Sequence, residues 1–499
     1  MSHESQTGVV RPSASSVAVP DYVSAWRVAR YVRRLNRLRR RGDREAVLAE
    51  QRFNTQRLLR FALERCGHYR DRFRGDPSAP RLADFEPTSK TALMSDFSRV
   101  VTDAHLRLDD LRRFVEDPAR VGEVYRGLYV AAHTSGSSGE RGVFVIDQFG
   151  WELGQALAIC GTEIPNFRWG WPRALISPLW PLSAATVIPT GGHFASVLMP
   201  RIRSTWTDRI VRMREIEISE PFDEIVAKIN AMRPFALHSY PTMLAELANA
   251  RLDGRLKARP WILTSGGEPF TPEIVARVRR AWPGIVIYDI YACTEVLSVA
   301  RSCSQGRYHV NEDWVVVENV DHRYRPVPAG ERGDKVLLTH LFNYLMPIVR
   351  YEMSDSVTWD DSACPCGSPL AHMRIEGRTN HTLVLPGRNG GNARLVPLPI
   401  LVSFLDVPHL RTYQVVQTGP EAIEVRYVPE AGASIAKVEA DIDRVLRDHL
   451  RRNGADDRHV AVTCVRVEAI ERDPRTHKIT QVVNLATRGA EDGRGAVRA

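Results

Sequence analysis

The residues with the clearest chemical potential form a loop of small and hydroxyl side chains between two apolar segments. The loop reads Thr134-Ser135-Gly136-Ser137-Ser138-Gly139. Glycines let a backbone approach a ligand closely, and hydroxyls with N–H groups can surround phosphate oxygens. A Walker-type loop would end in Gly-Lys-Ser/Thr and open a helix, whereas here Glu140 and then an extended segment follow. Two interpretations stay open for the loop alone: a phosphate loop of another kind, and a flexible turn, which is commoner for Ser/Gly clusters.

Four further segments carry polar residues that suit nucleotide chemistry, and they follow the loop in order. Residues 264–269 and 291–295 each come directly after an apolar run, residues 345–355 with Gly377-Arg378 come later, and residues 474–478 lie near the C-terminus. In isolation each has an ordinary explanation, such as a helix cap, a turn residue or a surface lysine. The candidates within them are Gly267, Glu268, Pro269, Tyr291, Thr294, Glu295, Asp355, Arg378 and Lys478.

Together these segments resemble the adenylate-forming superfamily of acyl-CoA synthetases, adenylation domains and luciferases. The most similar branch is the phenylacetate–CoA ligase-like (coenzyme F390 synthetase-like) group, and the resemblance covers roughly residues 50–485. Each motif alone is weak, but five in the right order argue against chance. The resemblance implies an α/β fold with a large layered N-terminal domain, mostly parallel sheets and a small mobile α+β C-terminal domain. It also implies that ATP activates a carboxylic acid as an acyl-adenylate, with pyrophosphate release and transfer to a nucleophile.

The resemblance assigns roles at the phosphates to four parts of this chain. The loop from Thr134 to Gly139 would embrace the departing β- and γ-phosphates. Thr294 would hydrogen-bond the α-phosphate, and Glu295 would ligate Mg²⁺. Lys478, on the small domain, would bridge the substrate carboxylate and the α-phosphate, which suits a compact charge on a long stem.

The same resemblance assigns the nucleoside of ATP/AMP to residues further along the strands. Gly267, Glu268 and Tyr291 would line the adenine pocket, with Pro269 in the same motif. Asp355 would accept both ribose hydroxyls, and Arg378 would sit beside the ribose and phosphate.

A pocket for the acid is implied between residues 180–196 and the strand ends near residues 238–241 and 265–267. Aromatic residues and histidine there suit a flat aromatic acid, although several of these residues could instead be ordinary core. The candidates are Trp180, His193, Phe194, His238, Ser239, Tyr240 and Gly266.

The chain departs from the family pattern at several positions. Ala292 and Ser354 stand where glycine is usual, and Asn380 stands where an aspartate commonly acts as a hinge. Residues 384–396 differ from the usual glycine loop that helps admit CoA, which weakens a simple CoA-ligase interpretation. The acceptor is the CoA thiol by family default, and an amine or other nitrogen nucleophile of specialised metabolism is the alternative. A non-catalytic nucleotide-binding protein is a further alternative, against which the intact motif residues argue.

A second group of residues has the chemistry of a metal site. Cys303 and His309 are separated by five residues, and Cys364-Pro365-Cys366 follows. Three thiols and one imidazole form the ligand set of a closed structural zinc site. The Cys-x-Cys spacing is less specific than Cys-x-x-Cys, and free thiols with an ordinary histidine are the alternative. Zinc is the favoured interpretation, because some phenylacetate–CoA ligase-like proteins carry it in this region.

The elements that must position these residues alternate between apolar runs and amphipathic helices from about residue 127 to residue 350. This alternation is typical of an α/β domain with a largely parallel sheet, whose ligands bind beyond the carboxyl ends of the strands. Strands are expected at residues 173–177, 236–239, 261–264 and 285–288, and helices at 21–75, 271–282 and 435–453. Loop chemistry at 377–395 predicts a boundary, which gives a disordered segment 1–20, a large domain 21–379 and a lid domain 380–499.

Composition and charge restrict the other classes of function. The 499 residues imply at least two domains, and the odd number of seven cysteines without a secretion signal argues against disulfides. No apolar run approaches the ~20 residues of a membrane helix, so a cytoplasmic location is expected. The net charge of +9 is concentrated in residues 27–42. Nucleic acid or an anionic membrane could bind there, but we expect a solvated helix face. A docking face for a carrier protein or another subunit is the weaker alternative, and oligomerisation is left open.

Overall fold

The computed structural model describes residues 22–40, 42–134, 141–160, 182–378, 381–395, 397–472 and 479–486. The predicted disordered segment 1–20, most of the phosphate loop (residues 135–139), Trp180, Asn380 and Lys478 lie outside these ranges. Within them, no helix combines the length and the apolar character needed to cross a membrane.

The described chain alternates helices and strands over most of its length. The helices are α1 Ala25–Arg40, α2 Arg44–Arg65, α3 Gly67–Asp71, α4 Lys90–Ser95, α5 Phe97–Val100, α6 Leu108–Glu116, α7 Gln148–Ile159, α8 Ala195–Arg201, α9 Thr205–Ile210, α10 Phe222–Met232, α11 Pro241–Leu252, α12 Pro272–Ala281, α13 Pro397–Ser403 and α14 Ile435–Arg452. The strands are β1 Tyr129–His133, β2 Val143–Asp147, β3 Leu182–Ile188, β4 Val211–Glu217, β5 Ala236–Ser239, β6 Ile262–Gly266, β7 Val286–Tyr291, β8 Ala300–Ser302, β9 Tyr308–Val310, β10 Val315–Val320, β11 Lys335–His340, β12 Ile348–Met353, β13 Asp355–Asp360, β14 His372–Arg378, β15 Leu383–Pro386, β16 Asn392–Leu395, β17 Leu410–Gly419, β18 Ala422–Pro429, β19 Ala461–Arg466 and β20 Val482–Asn484.

The N-terminal residues form the predicted helices. Helix α2 begins after Asp43, whose side chain accepts a hydrogen bond from Ala46 N at 3.0 Å and so caps one of the free N–H groups. The apolar positions Leu58, Leu59 and Ala62, which recur at helical spacing, are fully buried. Burial of this stripe, rather than helix propensity alone, fixes α2 on the core.

The arginine-rich helix α1 has the predicted solvated face, with Arg30, Arg33, Arg34 and Arg37 exposed. Two further arginines have a second role: Arg27 donates to both carboxylate oxygens of Glu152 at 2.7 and 2.8 Å, and Arg39 pairs with Asp313 at 2.7 Å. Glu152 and Asp313 are 1% and 0% exposed. A buried carboxylate is costly unless it is paired, so these arginines attach α1 to the body of the protein.

The main sheet has nine strands in the order β13-β14-β9-β8-β7-β6-β5-β3-β4 among the described residues. Strands β4, β3, β5, β6 and β7 are parallel, as predicted, and β8, β9, β14 and β13 extend the sheet with antiparallel pairing. The strands expected at 236–239, 261–264 and 285–288 are β5, β6 and β7, and the helix expected at 271–282 is α12. The strand expected at 173–177 lies outside the described residues.

The C-terminal residues build a smaller α+β unit. Strands β19, β18, β17 and β20 form a sheet in that order, and α14 packs on it through Val438, Ile442 and neighbouring apolar residues. One hydrophobic cluster in this region runs from Leu383 to Val482. The α/β architecture is confirmed, while the domain boundary at residue 380 stays a prediction.

Candidate functional site

The carboxyl ends of β5, β6 and β7 meet at one edge of the sheet. Their parallel register places Ser239 beside Ser265 and Gly266 beside Ile290. A cavity of about 1770 Å³ opens at this edge. The predicted site residues that line it are Thr134, Phe194, His238, Tyr240, Gly266, Gly267, Thr294 and Glu295.

Glu295 is held in the cavity wall by a tyrosine from another sheet. The carboxylate is buried, and its Oε1 atom accepts a hydrogen bond from Tyr351 Oη at 2.7 Å. Burial, followed by the negative charge of Glu295, raises the pKa of Tyr351, so the hydroxyl stays protonated and remains a donor. Tyr351 lies inside the 345–355 segment, but its sequence position gave no sign of this role.

Asp355 is held in a similar way at the start of β13. Its Oδ2 atom accepts a hydrogen bond from Tyr291 Oη at 2.8 Å, although β14, β9 and β8 separate β13 from β7 in the sheet. Asp355 is 5% exposed. Arg378 is the β14 partner of Asp355 in the strand register, and its side chain lies outside the described residues. We call Glu295 and Asp355 the carboxylate pair.

The base of the predicted phosphate loop is closed by two hydrogen bonds. Thr134 N donates to Gly142 O, and Gly142 N donates to Thr134 Oγ1, both at 2.9 Å. The loop thus joins the antiparallel strands β1 and β2, in agreement with the predicted extended segments, and Thr134 brings its start to the cavity.

Three side chains from the predicted acid pocket line the cavity, and they are aromatic or imidazole rings. These are Phe194, His238 and Tyr240. His238 Nδ1 lies 2.9 Å from Thr264 Oγ1. Burial lowers the pKa of His238 to about 4, so the ring is neutral near pH 7. These three side chains therefore present flat, uncharged surfaces to the cavity, whose wall elsewhere includes charged residues such as Arg33, Arg37 and Glu352.

The structure does not bring His193 or the Ser239 hydroxyl to the cavity. His193 is fully buried, and its ring nitrogens lie 3.0 Å from Val115 O and 3.1 Å from Arg120 O. Ser239 Oγ donates to Val187 O at 2.6 Å inside the sheet. Both side chains were expected to line the acid pocket. Both are instead buried and form hydrogen bonds with backbone carbonyls of the core.

Glu268 has a different environment from its neighbour Gly267. Its Oε2 atom accepts hydrogen bonds from Thr242 N at 3.1 Å and Thr242 Oγ1 at 2.8 Å, and its Oε1 atom accepts from Ile479 N at 2.9 Å. Pro269 is exposed beside it. The Glu268 carboxylate thus joins helix α11 to the residue that follows Lys478.

The four predicted metal ligands converge outside the cavity. The donor atoms of Cys303, His309, Cys364 and Cys366, which we call the Cys₃His cluster, lie within 4.8 Å of one another. Cys303 Sγ and Cys364 Sγ are 3.8 Å apart, and Cys366 Sγ is 3.2 Å from His309 Nε2. Two thiolates on one tetrahedral zinc lie about 3.8 Å apart, because each Zn–S bond is about 2.3 Å long.

The histidine of this cluster is already oriented for a metal. His309 Nδ1 lies 2.9 Å from Leu370 O, so that nitrogen carries the proton and donates to the carbonyl. The Nε2 lone pair is then free to face the thiols, and metal-binding histidines typically donate their other ring N–H to a carbonyl or carboxylate in this way. The chemistry of the donor set and its geometry both fit Zn²⁺.

Comparison with known proteins identifies the fold. No family model and no curated protein sequence matches the chain. Among solved structures, 2-hydroxyisobutyryl-CoA ligase in the postadenylation state with 2-HIB-AMP is similar at a TM-score of 0.63 and 18% identity, over 90% of this chain and 91% of that chain. An open conformation of the same ligase with 2-HIB-AMP and CoA gives 0.53 and 18%, over 88% and 91%. The chain therefore has the fold of the adenylate-forming ligases, and the predicted resemblance is confirmed at the level of fold.

Proposed function

We propose that this protein is an ATP-dependent, AMP-forming ligase that activates an aryl carboxylic acid as an acyl-adenylate. The observation that carries the proposal is the carboxylate pair. Glu295 is buried in the cavity wall beyond β7, Asp355 is buried at the start of β13, and each accepts a hydrogen bond from a tyrosine hydroxyl at 2.7 or 2.8 Å. Oriented carboxylates suit a divalent cation and a pair of ribose hydroxyls.

The reaction explains why a site needs these groups. A carboxylate is a poor electrophile, since attack would add charge to an anion. In the first step a carboxylate oxygen bonds to the α-phosphorus of ATP, the bond from that phosphorus to the bridging oxygen breaks, and pyrophosphate leaves with the electron pair. Both reactants are anionic, so the site must neutralise charge and hold an in-line geometry.

Each residue of the proposed site would either neutralise charge or hold a reactant in position. The Glu295 carboxylate would hold Mg²⁺, which supplies positive charge at the phosphates when bound. Thr294 would donate to the α-phosphate, Asp355 would accept the ribose hydroxyls, and Lys478 would bridge the two anions.

The acid class follows from the wall of the cavity. Phe194, Tyr240 and the neutral ring of His238 offer flat surfaces without a formal charge. This part of the wall suits an aromatic ring better than a polar or cationic group. In the second step the nucleophile bonds to the acyl carbon, AMP leaves, and the nucleophile loses a proton. The CoA thiol is the acceptor by family resemblance, and an amine is the alternative.

The test is acid-dependent release of pyrophosphate from ATP across a panel of aromatic and aliphatic acids, followed by product mass with CoA, with amines and with no acceptor. We expect release with aromatic acids, and loss of release in Lys478→Ala with an unchanged melting temperature. Lys437→Ala, on the exposed start of α14, is the matched lysine control. Absence of release with every acid would support a non-catalytic protein, and release without CoA consumption would favour the amine.

We also propose that the Cys₃His cluster holds one structural Zn²⁺. The 3.8 Å separation of two thiols and the prepared tautomer of His309 support this assignment. A closed site with four protein ligands has no open position for a substrate, so the ion would tie loops together rather than take part in the reaction. Elemental analysis of the purified protein should find about one zinc per chain, and its absence would contradict the assignment.

A further inference from the structure

Glu268 lies where the main body of the protein meets the C-terminal unit. It follows β6 by two residues, after Gly267, whose φ of 82° turns the chain away from the strand. Only glycine adopts such a φ readily, and the side chain that follows it, Glu268, contacts Thr242 of α11. Glu268 is not among the described residues that line the cavity, whereas Gly266 and Gly267 are.

The two oxygens of Glu268 bind different parts of the molecule. Oε2 accepts from the backbone and hydroxyl of Thr242 in the first turn of α11, which fixes the carboxylate against a helix N-terminus. Oε1 accepts from Ile479 N at 2.9 Å. A charged acceptor makes each of these bonds stronger than a neutral one would be.

The segment that begins at Ile479, which this hydrogen bond holds, is a rigid part of the C-terminal sheet. Gln414 Nε2 donates to Thr480 O at 2.8 Å, Val415 N donates to Gln481 O at 2.7 Å, and β20 then pairs with β17. Ile479 itself is 7% exposed. The hydrogen bond to Ile479 N therefore links Glu268 to the C-terminal sheet. Lys478 is the residue directly before Ile479.

A second contact joins the same two parts. Arg411, on β17, pairs with Glu246 of α11 at 2.7 Å, with side chains 52% and 22% exposed. An exposed ion pair of this kind contributes only about 0.2–1 kcal/mol. The Glu268–Ile479 hydrogen bond is the better placed of the two to fix the position of Lys478.

We propose that Glu268 is a positioning residue for adenylation: it holds the backbone directly after Lys478 so that the lysine is presented to the reacting anions. This inference rests on the proposed function. It replaces the role at adenine that the resemblance implies for Glu268, and it gives the residue a function in the arrangement of the two units.

The substitution Glu268→Gln tests the role. Glutamine has a single acceptor oxygen, so its NH₂ group must face the N–H of either Thr242 or Ile479. We expect kcat for acid-dependent ATP–pyrophosphate exchange to fall about 10- to 100-fold while KM for ATP changes less than about twofold. Glu246→Gln is the control at the second contact and should change kcat less than about twofold.

Transfer from presynthesised acyl-adenylate provides the internal reference. That step involves no attack on the α-phosphorus, so Glu268→Gln should retain it, and the ratio of exchange to transfer should fall even if the variant is less stable. A tenfold rise in KM for ATP at constant kcat would place Glu268 at the nucleotide and overturn the proposal. An unchanged ratio would overturn it too.

Hydrogen exchange separates this inference from the proposed function. A peptide that begins several residues before Ile479 and ends at residue 486 should exchange faster in Glu268→Gln than in the parent protein, because the Ile479 amide loses its acceptor. This measurement needs no substrate. Failure of the parent protein to catalyse exchange of pyrophosphate would contradict the proposed function alone, whereas unchanged amide protection at Ile479 would contradict the role of Glu268.

Discussion

The Cys₃His cluster and Asp355 of the carboxylate pair lie at opposite ends of the β13–β14 hairpin. In the β13–β14 hairpin, Asp355 pairs with Arg378 at one end and Asp360 pairs with His372 at the other, just before the loop that carries Cys364 and Cys366. Five residues of strand separate these ends by ~17 Å. The cluster directs all four donors toward one point, whereas Glu295 of the carboxylate pair lines a cavity.

This difference teaches what each region is arranged to do. A group of ligands that satisfy one another around a single point leaves no room for substrate, so its contribution is to hold loops in place. Glu295 and Asp355 instead accept hydrogen bonds from Tyr351 and Tyr291, and Glu295 and Tyr351 line the cavity. Substitutions in the Cys₃His cluster should therefore lower stability. Substitutions in the carboxylate pair should lower the rate of the reaction at nearly constant stability.

The largest effect is expected from Cys364→Ser. Loss of one ligand should release the metal and lower the free energy of unfolding by about 4 kcal/mol or more, because metal binding and folding are coupled. Zinc content and thermal unfolding measure this directly. Cys464→Ser, a half-buried cysteine of the C-terminal unit, is the control and should keep its zinc. If Cys364→Ser kept full stability and full metal content, the Cys₃His cluster would not be a structural metal site, and the proposed difference from the carboxylate pair would be wrong.

The next effect is expected from Glu295→Gln, which removes charge from the carboxylate pair but little volume. We expect kcat/KM for adenylation to fall on the order of 100- to 1000-fold, with the melting temperature nearly unchanged. Glu424→Gln, at a half-buried position on β18, is the matched control. Titration with Mg²⁺ adds a second readout, since the variant should need a higher concentration. If Glu295→Gln lost much stability but kept normal activity, the carboxylate pair would have the structural role that is expected of the Cys₃His cluster.

The two regions also differ in how much of them the sequence predicts. All four residues of the Cys₃His cluster are predicted from the sequence, because two closely spaced pairs of ligating residues, Cys303 with His309 and Cys364 with Cys366, restrict the chemistry to very few metals. Thr294 and Glu295 are predicted by motif order, since they follow a strand end that must face the ligand. The tyrosine supports are not predictable in this way, because Tyr351 lies 56 residues from Glu295 and Tyr291 lies 64 residues from Asp355.

The error at the cavity and the unpredicted pairing in α1 have a common physical cause. His193 and Phe194 are neighbours with similar bulk, and only the direction of the backbone decides that the first is buried and the second lines the cavity. Likewise, the charge of Arg27 does not reveal its pairing with the buried Glu152, which lies 125 residues away along the chain. Composition and periodicity describe local preferences, whereas such pairings depend on long-range packing.

A pH experiment examines the cavity wall. The pKa of His238 is lowered to about 4 by burial, below the ~6.5 of an unfolded chain, so its stabilising contribution is complete above pH 6.5 and is lost as the pH falls toward 4. Between pH 8 and pH 5 the parent protein should lose about 2 kcal/mol more unfolding free energy than His238→Gln. Exposed His105 is the control, and His105→Gln should follow the parent. Parallel curves for the parent and His238→Gln would mean that the ring is hydrated and charged in the cavity.

The smallest effect is expected from Tyr291→Phe, which deletes one hydroxyl behind the carboxylate pair. Asp355 stays in place but loses the donor that orients Oδ2, so KM for ATP should rise about 5- to 10-fold, equivalent to about 1 kcal/mol, with kcat within about twofold. Tyr427→Phe is a matched control, because Tyr427 Oη donates to Glu439 Oε1 at 2.7 Å in the C-terminal unit. Both variants lose one tyrosine–carboxylate hydrogen bond, so their unfolding free energies should fall by similar amounts, yet only Tyr291→Phe should change KM. If Tyr291→Phe and the parent protein had equal KM values for ATP, the Tyr291 hydrogen bond would stabilise only the fold around Asp355 and would have no role in nucleotide binding.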